Sequence, residues 1–139
     1  MLYKHRIQYY ETDRMGITHH SNYIRWMEEA RVAYLAEVGW DYDKLESLGI
    51  ISPVLSVECK YIKTTTFPEE ITIDIGVAEF KGVKLKMHYI MTNAAGETVC
   101  EATSSHCFLD SDGAPIRFKK DYPGFYEVLM EAQKEKEPV

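Results

Sequence analysis

The stretch QYYETDRMGITHHSNYIRWMEEAR, residues 8–31, decides the fold. Its first half is polar and irregular, with two acids, two adjacent histidines and one glycine. Its second half has a helical pattern and is rich in aromatic side chains. A loop that carries chemically useful groups therefore leads directly into a helix start, whose free N–H groups and partial positive charge can bind an oxyanion or polarise a carbonyl. A loop carboxylate directed at the same point would complete a hydrolytic site.

The helical pattern extends from about residue 22 to residue 38. Its apolar side chains recur at spacings of three and four, which predicts one buried stripe, made of Tyr23, Met27, Ala30, Tyr34 and Val38 and widened by Trp26 and Ala33. Further apolar residues lie off this stripe, namely Ile24, Val32 and Leu35. Ser21 or Asn22 is predicted to cap the start, and Gly39 to end the helix. A helix this apolar must be enclosed by the rest of the chain.

The rest of the chain predicts strands that can enclose it. Residues 2–10 alternate with the period of a half-buried strand, and four further strands are predicted near residues 51–63, 70–80, 83–91 and 97–109. Residues 41–48 form a short helix or turn, Pro123 opens a final helix, and the tail 131–139 is predicted to fray. Consecutive strands favour an antiparallel meander that the first strand joins at its edge. We therefore predict a single α+β domain over residues 1–139, with a curved antiparallel sheet of about five strands around one central helix.

Composition excludes several classes of function. A net charge of −6 argues against a nucleic-acid binder, which needs a broad basic surface. No apolar run approaches the roughly 20 residues that span a membrane. Three cysteines without metal-like spacing, and no signal peptide before them, indicate reduced thiols and a cytoplasmic protein. The histidines match no zinc spacing, so neither a metal nor a cofactor is expected.

The run ETDRMGITHHSNY, followed by a long helix ending in EEAR, resembles the signature of the hotdog-fold acyl-CoA thioesterases. The most similar branch is the 4-hydroxybenzoyl-CoA thioesterase family. The matching positions are Glu11, Thr12, Asp13, Gly16, His20, Asn22 and Tyr23. The order of strand, helix and four strands matches over nearly the whole chain. One position departs from the signature, because the family often has aspartate where this chain has Glu11.

The resemblance implies a role for each of these residues. Asp13 would be the general base or the nucleophile of thioester hydrolysis, and the backbone N–H of His20 would hold the oxyanion. Gly16 would supply a sharp turn in the catalytic loop. The implied substrate-binding residues are Glu11, Thr12, Asn22 and Tyr23. Read without the resemblance, Asp13 is a solvated aspartate that caps a turn, and Asn22 and Tyr23 cap and pack the helix.

The resemblance also implies an acyl-CoA substrate and a homodimer, or a dimer of dimers, with the sites at the subunit interface. The basic cluster Arg117, Lys119 and Lys120 is a candidate for the coenzyme A phosphates. Three alternatives stay open at this stage. They are a thioesterase that acts on acyl carrier protein, a non-catalytic acyl-CoA-binding module, and a hydratase or dehydratase on the same scaffold.

Overall fold

A computed structural model describes residues 1–134. Its five strands form one antiparallel sheet around the central helix, as predicted. They are β1 (Leu2–Arg6), β2 (Val54–Tyr61), β3 (Glu70–Phe80), β4 (Lys84–Thr92) and β5 (Thr98–Cys107). The helices are α1 (Ser21–Glu37), α2 (Tyr42–Ser47), α3 (Phe118–Asp121) and α4 (Pro123–Lys134), with a 3-10 turn at Tyr9–Glu11. Within this range no helix is long and apolar enough to cross a membrane.

The strand order is β1-β3-β4-β5-β2, so the predicted meander of four consecutive strands is wrong. Only β3, β4 and β5 follow one another as neighbours. β1 pairs with β3, bringing Leu2 opposite Asp74. It thereby occupies the edge of β3 that β2 would need in the predicted meander. β2 crosses instead to the far edge and pairs with β5, bringing Tyr61 opposite Cys100. Because β2 lies at this edge, its C-terminal end and the residues that follow it lie near the start of α1.

The first strand is shorter than predicted. It ends at Arg6, and Tyr9, expected inside the sheet, is 76% exposed. The chain leaves the sheet because the side chain of Glu11 accepts a hydrogen bond from the backbone N–H of Gln8 (2.8 Å), which closes a capping box around the 3-10 turn. This turn directs the chain into the loop before α1.

Helix α1 lies against the concave face of the sheet and buries its apolar stripe: Tyr23, Trp26, Met27, Ala30, Tyr34 and Leu35. Leu35 was predicted to lie off the stripe but is only 2% exposed, whereas Ile24 and Val32 do face outward. Neither Ser21 nor Asn22, the two predicted N-cap residues, holds that position. The N-cap residue is His20, and its side chain makes no capping hydrogen bond. The helix ends before Gly39, whose φ of +88° fits the predicted C-terminal glycine.

An aromatic cluster closes the end of the core beside α4. The Phe125 ring stacks on Trp40 at a centroid distance of 4.7 Å and meets Phe108 edge-on at 5.4 Å. Phe118, on the unpredicted helix α3, joins the same cluster. Pro123 opens α4 as predicted, but residues 131–134 are helical rather than frayed. The remainder of the predicted tail, residues 135–139, lies outside the described residues.

Candidate active site

The loop before α1 is a tight hairpin that carries Asp13. Thr12 and Thr18 form an antiparallel bridge, and the N–H of Asp13 donates to the carbonyl of Ile17 at 2.8 Å. Gly16 has a φ of +77°, so the expected sharp turn needs the conformational freedom of glycine. Asp13 Oδ1 accepts the N–H of Met15 at 2.8 Å. The other carboxylate oxygen accepts no bond from residues 1–134, so one oxygen shapes the turn and one is available.

The start of α1 offers an unpaired donor. The N–H of His19 donates to the carbonyl of Glu11 at 2.8 Å, and the N–H of Asn22 donates to the carbonyl of His19 at 3.0 Å. The N–H of His20, which lies between them, has no acceptor anywhere in the described part of the chain. It sits at the positive end of a 17-residue helix. This is the donor that the sequence analysis assigned to the oxyanion.

A pocket of about 400 Å³ opens at this helix start. Its lining residues are Ile17, Thr18, His20, Tyr23, Tyr61, Ile62, Lys63 and Thr64. The hydroxyl of Tyr61 donates to the carbonyl of His20 at 3.2 Å, and its ring meets Tyr23 edge-on at 5.1 Å. Burial, together with the neighbouring Cys59 thiol, raises the pKa of Tyr61 to about 12, which keeps the hydroxyl protonated. The pocket thus has one wall from the helix start and one from the end of β2 and the residues that follow it.

The second wall was missed by sequence reasoning. Tyr61 and Lys63 read as ordinary strand residues, and no local signal links them to the helix start. They reach it because β2 lies at the edge beside β5, which is a long-range property of the sheet. The Lys63 ammonium pairs with the carboxylate of Glu97, and its hydrogen bond lowers the pKa of that carboxyl. Lys63 lines the pocket as an ion-paired cation, a position that the sequence did not identify.

Glu11 lies beneath the loop and not in the pocket. Its side chain is 5% exposed, and the carboxylate accepts three N–H groups: Gln8 N at 2.8 Å, His5 Nε2 at 2.9 Å and Trp26 Nε1 at 2.7 Å. Burial alone would raise the pKa of Glu11, but these hydrogen bonds outweigh it and the pKa is lowered. The position fits a structural role better than the expected contact with substrate.

This network predicts how stability depends on pH. Because the folded pKa of Glu11 lies below the unfolded value of about 4.3, the carboxylate stabilises the fold above that pH. The contribution is lost as the pH falls through the lower folded pKa. We expect Glu11→Gln to cost about 2 kcal/mol at pH 7 and progressively less towards acid. Urea unfolding of both proteins between pH 7 and 3 measures the difference, and a difference that stays constant would contradict this role.

The other three residues expected to bind substrate, Thr12, Asn22 and Tyr23, make different contacts. Thr12 donates from its hydroxyl to the carbonyl of Tyr9 at 2.7 Å. Asn22 donates from its amide to the carbonyl of Glu11 at 2.9 Å, tying the helix to the loop. Tyr23 lines the pocket, and its hydroxyl bonds Thr65 Oγ1 at 2.8 Å. Of the four residues, only Tyr23 contributes to the pocket wall.

The basic cluster lies at α3, beside the aromatic cluster. Arg117 pairs with Asp121 at 3.4 Å, and Lys119 and Lys120 are exposed. None of the three lines the pocket at the start of α1. Within residues 1–134, no group of histidines, cysteines and acids is arranged to hold a metal ion. His106 is buried in the core, where burial, followed by the charge of Arg31, lowers its pKa to about 4.

A curved antiparallel sheet wrapped around one central helix is the hotdog fold. The chain belongs to the Thioesterase-like superfamily, whose family model matches residues 7–133. A Bacillus subtilis relative named "Putative acyl-CoA thioesterase YneP" is 35% identical and covers 92% of this chain and 94% of its own length. The DHNA-CoA thioesterase of Staphylococcus aureus superposes with a TM-score of 0.91 at 29% identity, covering 99% and 95% of the two chains.

A third relative, the 1,4-dihydroxy-2-naphthoyl-CoA hydrolase of Thermosynechococcus vestitus, is 23% identical over 77% of this chain and 74% of its own. The family and these relatives agree with the fold. The protein is an acyl-CoA thioesterase, which hydrolyses a thioester to a carboxylic acid and coenzyme A.

Proposed function

We propose that hydrolysis takes place at the start of α1, with Asp13 as base or nucleophile and the N–H of His20 as oxyanion donor. The observation that carries this proposal is the unpaired N–H of His20 in the wall of the pocket. A donor that is already fixed in place stabilises the charge that develops on the thioester oxygen without having to reorganise. Asp13 is on the hairpin that leads into the same helix but does not line the pocket of its own chain. One of its carboxylate oxygens has no partner within the described residues.

Two routes use the same groups. In the first, Asp13 takes a proton from water while the water oxygen bonds to the thioester carbon. In the second, the carboxylate itself attacks, and water then hydrolyses the resulting anhydride. Both routes form a tetrahedral oxyanion that the N–H of His20 can hold, and its collapse breaks the C–S bond. The thiolate of coenzyme A leaves and takes up a proton.

The acyl group that best suits this pocket is aromatic. Tyr23, Tyr61 and His20 present rings to a space of about 400 Å³, and aromatic pairs gain about 0.5–1.5 kcal/mol beyond their burial. Two of the relatives are named for a naphthoyl-type or DHNA thioester, which supports the same preference. An aromatic acyl-CoA is therefore our proposed substrate class.

Removal of the Tyr61 ring tests this preference. We expect Tyr61→Ala to lower kcat/KM for benzoyl-CoA by about 3- to 10-fold more than for butyryl-CoA, because only the aromatic acyl group loses a ring contact. Tyr61→Phe keeps the ring and should retain the preference. Steady-state thiol release measures all the rates. An equal loss on both substrates in Tyr61→Ala would contradict the aromatic pocket.

We also propose a homodimer that joins through β2. This strand lies at the sheet edge, and it exposes apolar side chains along its length, with Val54 at 49%, Leu55 at 48% and Val57 at 37%. An uncovered apolar edge strand invites pairing, and a second copy would cover it. The pocket lies at the end of the same strand, so the partner would add the far wall. A dimer of dimers is compatible with this arrangement.

A charge on β2 should break the dimer. Val57→Lys is expected to yield monomers in sedimentation velocity and to lower kcat/KM at least about 10-fold, because the far wall is lost and a buried unpaired charge is costly. Leu2→Lys places the same charge on the opposite edge strand, β1, and should leave the assembly intact. Dimeric Val57→Lys protein with full activity would overturn the β2 interface.

The three free cysteines support a cytoplasmic location. Arg117, Lys119 and Lys120 do not line the pocket of their own chain, so their contact with the coenzyme A phosphates stays a prediction. The single-domain organisation stays a prediction. Action on acyl carrier protein remains the alternative, and kcat/KM measured on one acyl group carried by coenzyme A and by acyl carrier protein separates the two carriers.

A further inference from the structure

His5 lies between two carboxylates. Its Nε2 atom is 2.9 Å from Oε1 of Glu11, and its Nδ1 atom is 3.2 Å from Oε1 of Glu29. Glu11 accepts three N–H groups and must be ionised to do so, while Glu29 also accepts the hydroxyl of Tyr3 at 2.9 Å. Each ring nitrogen of His5 thus lies within hydrogen-bond distance of a carboxylate oxygen. We call His5, Glu11 and Glu29 the charge clamp.

Glu11 connects β1, the 3-10 turn and α1. Its side chain binds β1 through His5, the 3-10 turn through Gln8 and α1 through Trp26. Its backbone carbonyl accepts the N–H of His19 at 2.8 Å and the side-chain amide of Asn22 at 2.9 Å. These last two bonds fix the turn that contains the N–H of His20. One buried residue therefore holds the loop and the helix start in a single arrangement.

We propose that the charge clamp positions the catalytic groups, with Glu11 and His5 as positioning residues for thioester hydrolysis. Asp13 is two residues after Glu11, and His20 directly follows the residue whose N–H Glu11 accepts, so a shift of Glu11 moves both. The inference rests on the site proposed above for Asp13 and His20. Displacement of catalytic groups by about 1 Å costs roughly 100-fold in rate. Glu11 and His5 lie below the loop and reach the chemistry only through the residues that they hold.

The clamp should act on kcat more than on KM. The pocket wall formed by Tyr61, Ile62 and Lys63 makes no hydrogen bond or ion pair with the clamp in the part of the chain that the structure describes. Binding of the acyl group should therefore survive when the clamp is broken, while the alignment of the oxyanion donor is lost. A residue with a purely structural role would lower the unfolding temperature and leave kcat unchanged well below it.

The test compares Glu11→Gln and His5→Gln with Glu28→Gln. Glu28 is an exposed residue of the same helix that bonds no other side chain within the described range, so it is a matched control. We measure kcat and KM for benzoyl-CoA at least 15 °C below each unfolding midpoint, together with deuterium exchange of the 11–22 segment. We expect both clamp variants to lose at least 10-fold in kcat with KM within about 3-fold. Exchange should rise in that segment and not in β3–β5, and Glu28→Gln should match the wild type.

A folded Glu11→Gln protein with wild-type kcat would overturn the inference. If Glu11→Gln does not fold, His5→Gln decides in its place, because the His5 side chain is 12% exposed and its replacement leaves Glu11 bonded to Gln8 and Trp26. Asp13→Asn tests the proposed site independently. If Asp13→Asn keeps the wild-type rate while the clamp variants lose kcat, the assignment of Asp13 fails and the clamp positions the helix start alone.

Discussion

Asp13→Asn is expected to lower kcat by about 10²- to 10⁴-fold, the range that a positioned base contributes. The asparagine side chain can neither attack the thioester nor take a proton from water. Its oxygen can still accept the N–H of Met15, as Asp13 Oδ1 does at 2.8 Å, so the loop should keep its shape. Thiol release from benzoyl-CoA under saturating substrate measures the loss.

Asp112→Asn is the matched control, since Asp112 is an exposed loop aspartate on a different turn. It should hydrolyse at the wild-type rate. A folded Asp13→Asn protein as fast as this control would show that another group acts as base or nucleophile. The KM of Asp13→Asn should change little, because the pocket wall at Tyr23 and Tyr61 is untouched.

Phe125→Ala is expected to cost about 3–5 kcal/mol of unfolding free energy, the largest stability effect that the fold predicts. Phe125 is fully buried, and its ring touches Trp40, Phe108 and Phe118. Removal of the ring leaves a cavity where α4 meets the sheet, and the surrounding rings are too rigid to fill it. Urea denaturation, with the m-value checked for two-state behaviour, measures the change.

Tyr10→Ala is the control for this change. It also removes a ring of similar size, but Tyr10 is 82% exposed. It should alter the unfolding free energy by less than about 0.5 kcal/mol. Equal losses in the two variants would mean that the aromatic cluster does not support the core as the fold implies.

Most of the elements could be predicted where the sequence pattern is local and strong. The bounds of β3 match the prediction at both ends, because alternating isoleucines are flanked by Pro68 and by the turn at Lys81-Gly82. The central helix follows its apolar spacing, and Gly39 ends it. The candidate catalytic loop could be located only through a family signature and not through periodicity.

The errors occurred where distant parts of the chain decide the outcome. The end of β1 is set by the bonds that Glu11 makes to Gln8 and His5, which are not visible in an alternating pattern. The place of β2 depends on β1 already occupying the edge of β3. That one topological choice brings Tyr61 and Lys63 to the helix start, so half of the pocket wall was beyond reach of the sequence.

The burial of Glu11 has the same origin. The resemblance to the thioesterase family implied that Glu11, two residues before Asp13, contacts the substrate. The structure places it below the loop, because Trp26 and His5 both present N–H groups there. A buried carboxylate with three donors is more stable than the same group turned towards solvent with those donors left unpaired.

In the proposed site, the start of α1 holds the thioester oxygen while Asp13 faces the carbonyl carbon. A crystal structure of Asp13→Asn with bound benzoyl-CoA tests this most directly, since the variant should bind the substrate without cleaving it. We predict the thioester oxygen at about 3 Å from the N–H of His20, with the asparagine side chain beside the carbonyl carbon. A thioester oxygen bound by other donors, away from the start of α1, would contradict the claim.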